Sequence, residues 1–192
     1  MTFRAAPLRD GAVTFSLGFT LGTHEGKASA ARAEVAAELA PFSVRGGFIE
    51  VPIASLSSDD AKRDCHTREA LGLDYAKSDF PGSHVCEDGK LPSEGKNAVA
   101  FPTIRFDIAS VTAPDAAGNA VARGKWTIHG VTRESTPIPI TITPLLGKKA
   151  AFRVHGSASL SLKEYGIAVK NFLLISVSDS VMVNFDLIFE EK

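Results

Sequence analysis

The chain has 192 residues, of which 44% are hydrophobic and 22% are charged, and its formal net charge is -1. This composition is typical of a globular protein with enough apolar material for a core, and the balanced charge predicts neither a nucleic-acid partner nor an anionic membrane partner. No apolar run approaches the roughly 18 residues that a membrane span requires, so we expect no span. Because all-β domains can reach about 200 to 250 residues, we expect one domain over residues 1–192.

Three strands are predicted near the start of the chain. Residues 13–21 alternate with a strict period of two, which is typical of a half-buried strand. The alternating apolar residues of this strand are Val13, Phe15, Leu17, Phe19 and Leu21. Residues 32–39 also alternate, although their Ala and Glu content would suit a helix as well. After Gly46 and Gly47, residues 48–53 predict a third strand with Ile49 and Val51 on one face.

A helix and a long loop follow. Residues 57–60, Ser-Ser-Asp-Asp, predict the start of a helix near residues 59–71, which Gly72 would end. Residues 73–100 are rich in Pro, Gly, Ser and charge, and they predict a long loop. Such a loop in a compact domain usually has a function or is fixed by a cross-link, which we call a staple. Cys65 and Cys86 could supply the staple as a disulfide, and two inert thiols are also consistent with the count.

The second half returns to strands, separated by turn signals. We predict strands over residues 103–111, 120–129, 133–143, 151–162 and 177–190. The inward residues that the alternation gives are Ile104, Phe106, Ile108, Trp126, Ile128, Ile138, Ile140, Ile142, Phe152, Val154, Leu160, Val181, Val183, Phe185, Leu187 and Phe189. Pro137 and Pro139 each lack a ladder donor, so their strand is predicted to be an edge or to be bulged.

About eight strands without alternating helices predict an all-β fold, either an antiparallel sandwich or a closed barrel. The length of the strands favours the barrel, whose interior can be filled by side chains or can hold one small ligand. The inward positions carry almost no charge, so a ligand held there must be apolar. Alternation alone does not show that the centre is hollow, and Trp126 suits either a ligand-binding wall or a packed core.

The sequence lacks the common catalytic motifs. It contains no Gly-x-Ser-x-Gly elbow, no P-loop, no Gly-x-Gly-x-x-Gly after a strand and no Cys-x-x-Cys pair. The five histidines are scattered without the spacing of a metal-binding face, so we expect neither a catalytic residue nor a metal site. Arg63, Asp64 and His66 nevertheless form a polar group, which keeps open the alternative of an enzyme acting on an apolar substrate.

Several segments resemble, in order along the chain, the YceI-like family of bacterial proteins. Residues 124–132, Gly-Lys-Trp-Thr-Ile-His-Gly-Val-Thr, are similar to the family's Gly-x-Leu-Thr-Ile-His-Gly-Val-Thr and give the most specific match. Arg-Asp-Cys-His at residues 63–66 resembles its Arg-Asp-x-His helix, and Phe-Pro-Thr-Ile-Arg-Phe at residues 101–106 resembles its Tyr/Phe-Pro-x-Ile-x-Phe strand. Val-Ser-Asp-Ser-Val at residues 177–181 is similar to its closing strand, and the resemblance covers residues 13–190.

The resemblance implies an extended lipocalin-like antiparallel β-barrel that binds polyisoprenoid chains, including isoprenoid quinones, usually in the periplasm and often as a homodimer. We therefore expect non-catalytic transport or storage of a long-chain isoprenoid lipid, with this lipid or quinone as the ligand and no cofactor acting as a catalyst. An interaction module with a filled core is a further alternative. The start of the chain lacks the apolar core of a signal peptide, so a cytoplasmic location is the second choice after the periplasm.

The chain departs from the family pattern at Trp126, where Leu is usual, and in a longer insertion from about Leu73 to Ala100. These changes could redirect the cavity and reshape its mouth. The expected apolar lining comprises Phe15, Leu17, Phe19, Ile49, Val51, Ile104, Phe106, Trp126, Ile128, Phe152, Val154, Leu160, Phe172 and Phe185. At the mouth, we expect Arg63, His66 and His24 to contact the lipid head group.

Overall fold

The structure is a computed structural model, and it describes residues 1–147, 149–168 and 177–192. Its strands are β1 (Thr2–Ala5), β2 (Val13–Phe19), β3 (Gly22–Ala28), β4 (Arg32–Leu39), β5 (Phe42–Pro52), β6 (Leu56–Ser57), β7 (Thr103–Val111), β8 (Asn119–Ile128), β9 (Val131–Glu134), β10 (Ile138–Leu145), β11 (Ala151–Ser161) and β12 (Val177–Glu191). The helix α1 covers Ala61–Gly72, and short 3₁₀ turns cover Ile53–Ser55 and Leu162–Tyr165. Within the described ranges, no helix is long and apolar enough to cross a membrane.

Antiparallel pairing closes the sheet into a barrel. The ring runs β1-β4-β5-β7-β8-β10-β11-β12 and closes where β12 pairs with β1. Residues 189–191 of β12 pair with β1, whereas residues 177–185 pair with β2, which continues to β3 and β6. The expected lipocalin-like antiparallel barrel is confirmed, with β2, β3, β6 and β9 added beside the ring.

The strands place their apolar residues on the inner face of the barrel. In β10, Ile138, Ile140 and Ile142 are buried, whereas Pro139 between them and Thr143 after them are exposed. Fully burying such a side chain stabilises the fold by about 1.5–3 kcal/mol. The period of two in the sequence therefore becomes one apolar interior and one hydrated outer surface.

β1 completes the ring although it has only four residues. Its Phe3 is fully buried, and the centroid of its ring lies 5.0 Å from that of Phe152 on β11. β1 was not predicted from the sequence, because a strand of this length has too few residues to display a period.

Two predicted strand boundaries are wrong near the start of the chain. β2 ends at Phe19, and Leu21 lies in the following turn with 77% of its surface exposed. Gly46 and Gly47 lie inside β5, at an irregularity in its pairing with β4, rather than before the strand. Gly47 has a φ of 155°, and a Cβ atom there would lie 2.3 Å from the carbonyl oxygen of Glu34. The backbones of β4 and β5 therefore approach too closely for a side chain at this point.

The predicted strand over residues 133–143 is divided between β9 and β10, and β10 is not an edge strand. β10 pairs with β8 at residues 138–141 and with β11 at residues 140–145. Pro139 is therefore paired with β8, and Pro144 is paired with β11. Each proline has a paired strand on one side, which lets a central strand accommodate residues that lack an N–H.

Polar contacts fix α1 at both of its ends. The carboxylate of Asp60 accepts a hydrogen bond from the N–H of Arg63 over 2.9 Å and so caps the N-terminus. Near the C-terminus, Nδ1 of His129 donates to the carbonyl oxygen of Leu71 over 3.1 Å. His129 and Gly130 form the two-residue turn between β8 and β9, and both have the positive φ that such turns require. The most specific segment of the family resemblance therefore positions the helix.

Candidate functional site

The barrel encloses a cavity of about 360 Å³, which falls within the range of roughly 300–1,000 Å³ for small-molecule sites. The predicted apolar residues that border it are Phe15, Leu17, Ile49, Val51, Ile104, Phe106, Trp126, Ile128, Phe152, Val154, Leu160 and Phe185. Trp126 lies against Phe106, with ring centroids 4.6 Å apart, so it forms part of the cavity wall. The prediction for Phe19 is wrong, because Phe19 does not border the cavity; its ring stacks on that of His24 at 4.1 Å. Phe172 lies outside the described residues.

Glycines explain how aromatic residues line the wall without filling the centre. Phe15 pairs across strands with Gly26, and Phe185 pairs with Gly156. A Cβ atom at Gly26 would lie 2.2 Å from the Phe15 ring, and one at Gly156 would lie 2.8 Å from the Phe185 ring. Each ring therefore lies over the backbone of the neighbouring strand, where a side chain would push it toward the centre.

The polar residues that border the cavity belong to neighbouring elements. They are His24, Glu25, Ser58, Arg63, His66 and Thr67. β3 pairs with β6, and β6 contacts α1, so these residues form one polar rim, which we call the mouth. All three residues predicted to contact a head group lie there. Glu25, Ser58 and Thr67 were not predicted, because neither alternation nor a motif distinguishes them from surface residues.

The electrostatics of the mouth depend on Arg63 and Asp60. Nη2 of Arg63 lies 3.5 Å from Oδ2 of Asp60. Burial and the positive charge of Arg63 lower the pKa of His24, against the opposing charge of Asp60. The hydrogen bond from the Arg63 N–H lowers the pKa of Asp60, which stays ionised. At pH 7 the mouth therefore offers Arg63 as a permanent cation and His24 as a neutral imidazole.

Asp64 is not part of the mouth, although Arg63 and His66 are. Its carboxylate accepts hydrogen bonds from the Ser57 hydroxyl at 2.8 Å and from both the N–H and the hydroxyl of Ser58 at 2.7 Å. Adjacent helix residues project about 100° apart, and Asp64 consequently faces the strand β6 and its connection to α1. Arg63, Asp64 and His66 therefore do not converge as a catalytic group would.

The long loop between α1 and β7 is fastened to the helix. Cys65 on α1 forms a disulfide with Cys86 in the loop, and their Cα atoms lie 6.0 Å apart. The side chain of Arg68 donates from Nη1 to the carbonyl oxygen of Gly89 over 2.7 Å and from Nη2 to that of Leu56 over 2.8 Å. The structure therefore holds the insertion against α1, next to the mouth.

The closed antiparallel ring and its apolar interior define a lipocalin-like barrel. The profile of the YceI-like domain matches residues 9–189, so the chain belongs to the YceI-like family, as the resemblance predicted. A search of curated protein sequences found no match.

Solved structures with similar folds share little sequence with this chain. BcnA of Burkholderia cenocepacia is 14% identical with a TM-score of 0.66, and the match covers 96% of this chain and 95% of BcnA. The YceI protein of Campylobacter jejuni is 17% identical with a TM-score of 0.64, over 88% of this chain and 85% of that one. A polyisoprenoid-binding domain from Saccharophagus degradans, implicated in plant cell wall breakdown, is 11% identical with a TM-score of 0.58, over 100% and 94% of the two chains.

Proposed function

We propose that the barrel binds a long-chain isoprenoid lipid, either a polyisoprenoid or an isoprenoid quinone, and transports or stores it without chemical conversion. The observation that carries this proposal is the cavity, whose wall is almost entirely apolar and whose polar residues are confined to the mouth. Membership of the YceI-like family and the likeness to a polyisoprenoid-binding domain support the same class of ligand.

Burial of the isoprenoid tail provides the affinity. Each methylene removed from water contributes about 0.8 kcal/mol, so a dozen buried carbons contribute roughly 10 kcal/mol before the cost of immobilising the chain. The tail needs no polar partner, and an apolar wall discriminates against charged molecules because their desolvation is not compensated. Arg63, His66 and His24 are positioned to bind a quinone oxygen or a phosphate at the mouth.

The two alternatives are less consistent with the geometry. An enzyme acting inside the barrel would need convergent polar groups, and Asp64, the carboxylate of the predicted polar group, is instead bonded to Ser57 and Ser58. An interaction module with a filled core would lack the cavity of about 360 Å³. We therefore favour binding without catalysis.

We further propose that the protein works in an oxidising compartment such as the periplasm. The Cys65–Cys86 disulfide supports this location, because structural disulfides persist in oxidising compartments and are rare in the cytosol. A homodimer, which the family resemblance implies, stays a prediction that sedimentation of the purified protein would test.

Lipid extraction tests the proposed function directly. The purified protein is extracted with organic solvent, the extract is examined by mass spectrometry, and the emptied protein is then incubated with an added isoprenoid quinone. We expect a co-purified isoprenoid or stoichiometric binding of the quinone. An extract without lipid, together with no binding of the added quinone, would rule the proposal out.

A matched pair of variants locates the ligand. Val183 borders the cavity, whereas its neighbour Met182 on β12 faces outward and is 41% exposed. Val183→Trp should reduce the bound lipid at least tenfold by filling the cavity, whereas Met182→Trp should leave binding unchanged. Circular dichroism confirms that both variants fold. Equal binding by the two variants would place the ligand outside the barrel.

A further inference from the structure

Two imidazoles and one carboxylate meet beside the mouth. His66 and Glu69 are three residues apart on α1 and therefore share a face of the helix, and His84 approaches from the loop. Nδ1 of His66 and Nδ1 of His84 each lie 3.5 Å from the same carboxylate oxygen, Oε2 of Glu69. The centroids of the two imidazole rings are 4.3 Å apart, and one ligand atom from each of the three residues lies within 4.8 Å of the others.

The carboxylate of Glu69 is fully buried, which is unusual for this residue type. Its Oε1 accepts a hydrogen bond from the N–H of Val85 over 2.7 Å. Its Oε2 has no hydrogen-bond partner among the described residues. Since a buried carboxylate oxygen without a partner is costly, an atom that binds Oε2 would stabilise this arrangement.

The fold holds His84 in place before any ligand arrives. His84 lies two residues before Cys86 in the loop. Cys86 forms the disulfide with Cys65, and Cys65 directly precedes His66 on the helix. The hydrogen bond from the Val85 N–H to Glu69 fixes the residue between them. The two imidazole side chains are nevertheless 44% and 62% exposed, so a solvated ion can reach them.

We propose that His66, Glu69 and His84 bind a divalent transition-metal ion, best suited to Zn²⁺. Nitrogen and carboxylate ligands suit this ion, and three protein ligands leave a fourth position open to water or to another ligand. A tetrahedral zinc site with bonds of about 2.0–2.1 Å has ligand atoms about 3.3–3.4 Å apart. The distances of 3.5 Å from Oε2 of Glu69 to Nδ1 of His66 and to Nδ1 of His84 are close to that value.

This proposal differs from the expectation, drawn from histidine spacing, that no metal is bound, and the zinc titration decides between the two. Spacing along the chain cannot indicate this cluster, because His84 reaches the helix through the disulfide-tethered loop and not through a motif. His66 also borders the cavity, so the open coordination position lies at the edge of the mouth. The site does not depend on what the barrel contains.

Titration of the untagged protein with Zn²⁺ tests the proposal. The disulfide is kept intact, because the free thiols of Cys65 and Cys86 would themselves bind zinc. Isothermal titration calorimetry should show one ion per chain, and Co²⁺ used as a spectroscopic substitute should give the visible absorption of a four-coordinate site. A wild-type protein that binds no stoichiometric ion would overturn the proposal.

Three variants assign the ligands. His84→Ala and Glu69→Gln should each weaken zinc binding by more than about 100-fold, beyond the effect of a group that only supports a ligand. Glu69→Gln retains an acceptor for the Val85 N–H, and His84→Ala changes an exposed loop residue, so both should fold. His155→Ala, which removes an exposed histidine of β11, should bind as the wild type does. Undiminished binding by His84→Ala would refute the assignment.

Discussion

The carboxylate of Asp64 ties the first turn of α1 to the residues that precede the helix. Burial raises the pKa of Asp64, but hydrogen bonds from Ser58 and Ser57 and the charge of Arg68 outweigh that effect and hold the pKa below its ordinary value of 3.8. The group therefore stays ionised in a largely buried position. Because its folded pKa is below its unfolded pKa, its contribution to stability is complete above about pH 4 and is lost as the pH falls through the folded value.

Replacement of this carboxylate by an amide tests the account. Asp64→Asn should lower the free energy of unfolding at pH 7 by about 1–3 kcal/mol, since it removes charged hydrogen bonds and places an amide N–H₂ against the donors of Ser57 and Ser58. The difference from the wild type should shrink as the pH falls below about 4. Urea unfolding at several pH values measures it.

Asp60→Asn is the matched control for this prediction. Asp60 lies on the same helix turn and is exposed, and Asn caps a helix as well as Asp does. The control should therefore change stability little. If Asp64→Asn were equally mild, the hydrogen bonds to Asp64 would not contribute as described.

Among the elements, the loop between α1 and β7 depends most on long-range contacts. Its contacts with the helix include the disulfide to Cys65, the contact of Gly89 with Arg68 and that of Val85 with Glu69, and its Leu91 and Val99 pack against the apolar core. No strand in the described part of the chain pairs with it, and it contains an isolated bridge between Glu87 and Lys90. Its position should consequently be much less stable than that of the barrel strands.

Loss of the disulfide should therefore be detected in the loop first. Cys65→Ser with Cys86→Ser opens a link across 21 residues, and we expect the free energy of unfolding to fall by about 3 kcal/mol in the chain-entropy model. Limited proteolysis of the folded protein should produce new cuts between residues 74 and 100. An unchanged cleavage pattern would mean that the hydrogen bonds of Arg68 and Glu69 and the packing of Leu91 and Val99 fix the loop without the disulfide.

The sequence predicted those elements whose own residues carry a long pattern. The bounds of β4 and β7 agree with the alternation, and α1 agrees within two residues with its start and stop signals. β3 was missed because its residues, Gly-Thr-His-Glu-Gly-Lys-Ala, are mostly polar or small, and its strand form comes from pairing with β2 and β6. The proximity of His84 to Glu69 was missed for a related reason, since contacts across a loop leave no local period.

For the whole molecule, the open interior is the property that alternation could not establish. Inward-facing Phe15 and Phe185 could either fill the centre of the barrel or line a cavity. Which of the two occurs depends on Gly26 and Gly156, which are paired with them on the neighbouring strands. These glycines leave room for the rings against the wall. Pairs of an inward aromatic residue and a glycine on the neighbouring strand are therefore a sequence signal that can be read only once the register is known.

Closure of the barrel, finally, rests on a very short strand. β1 bridges β4 and β12 with four residues, and its Phe3 packs against the ring of Phe152. Phe3→Ala should lower the free energy of unfolding by about 3–5 kcal/mol, because it empties a fully buried site and weakens the strand pairing that closes the barrel. Arg4→Ala, the control on the outer face, removes a largely exposed ion pair with Glu34 and should cost at most about 1 kcal/mol. Hydrogen exchange should accelerate in β1 and at residues 189–191 of β12 in the Phe3 variant, and equal exchange in the two variants would show that β1 does not hold the barrel closed.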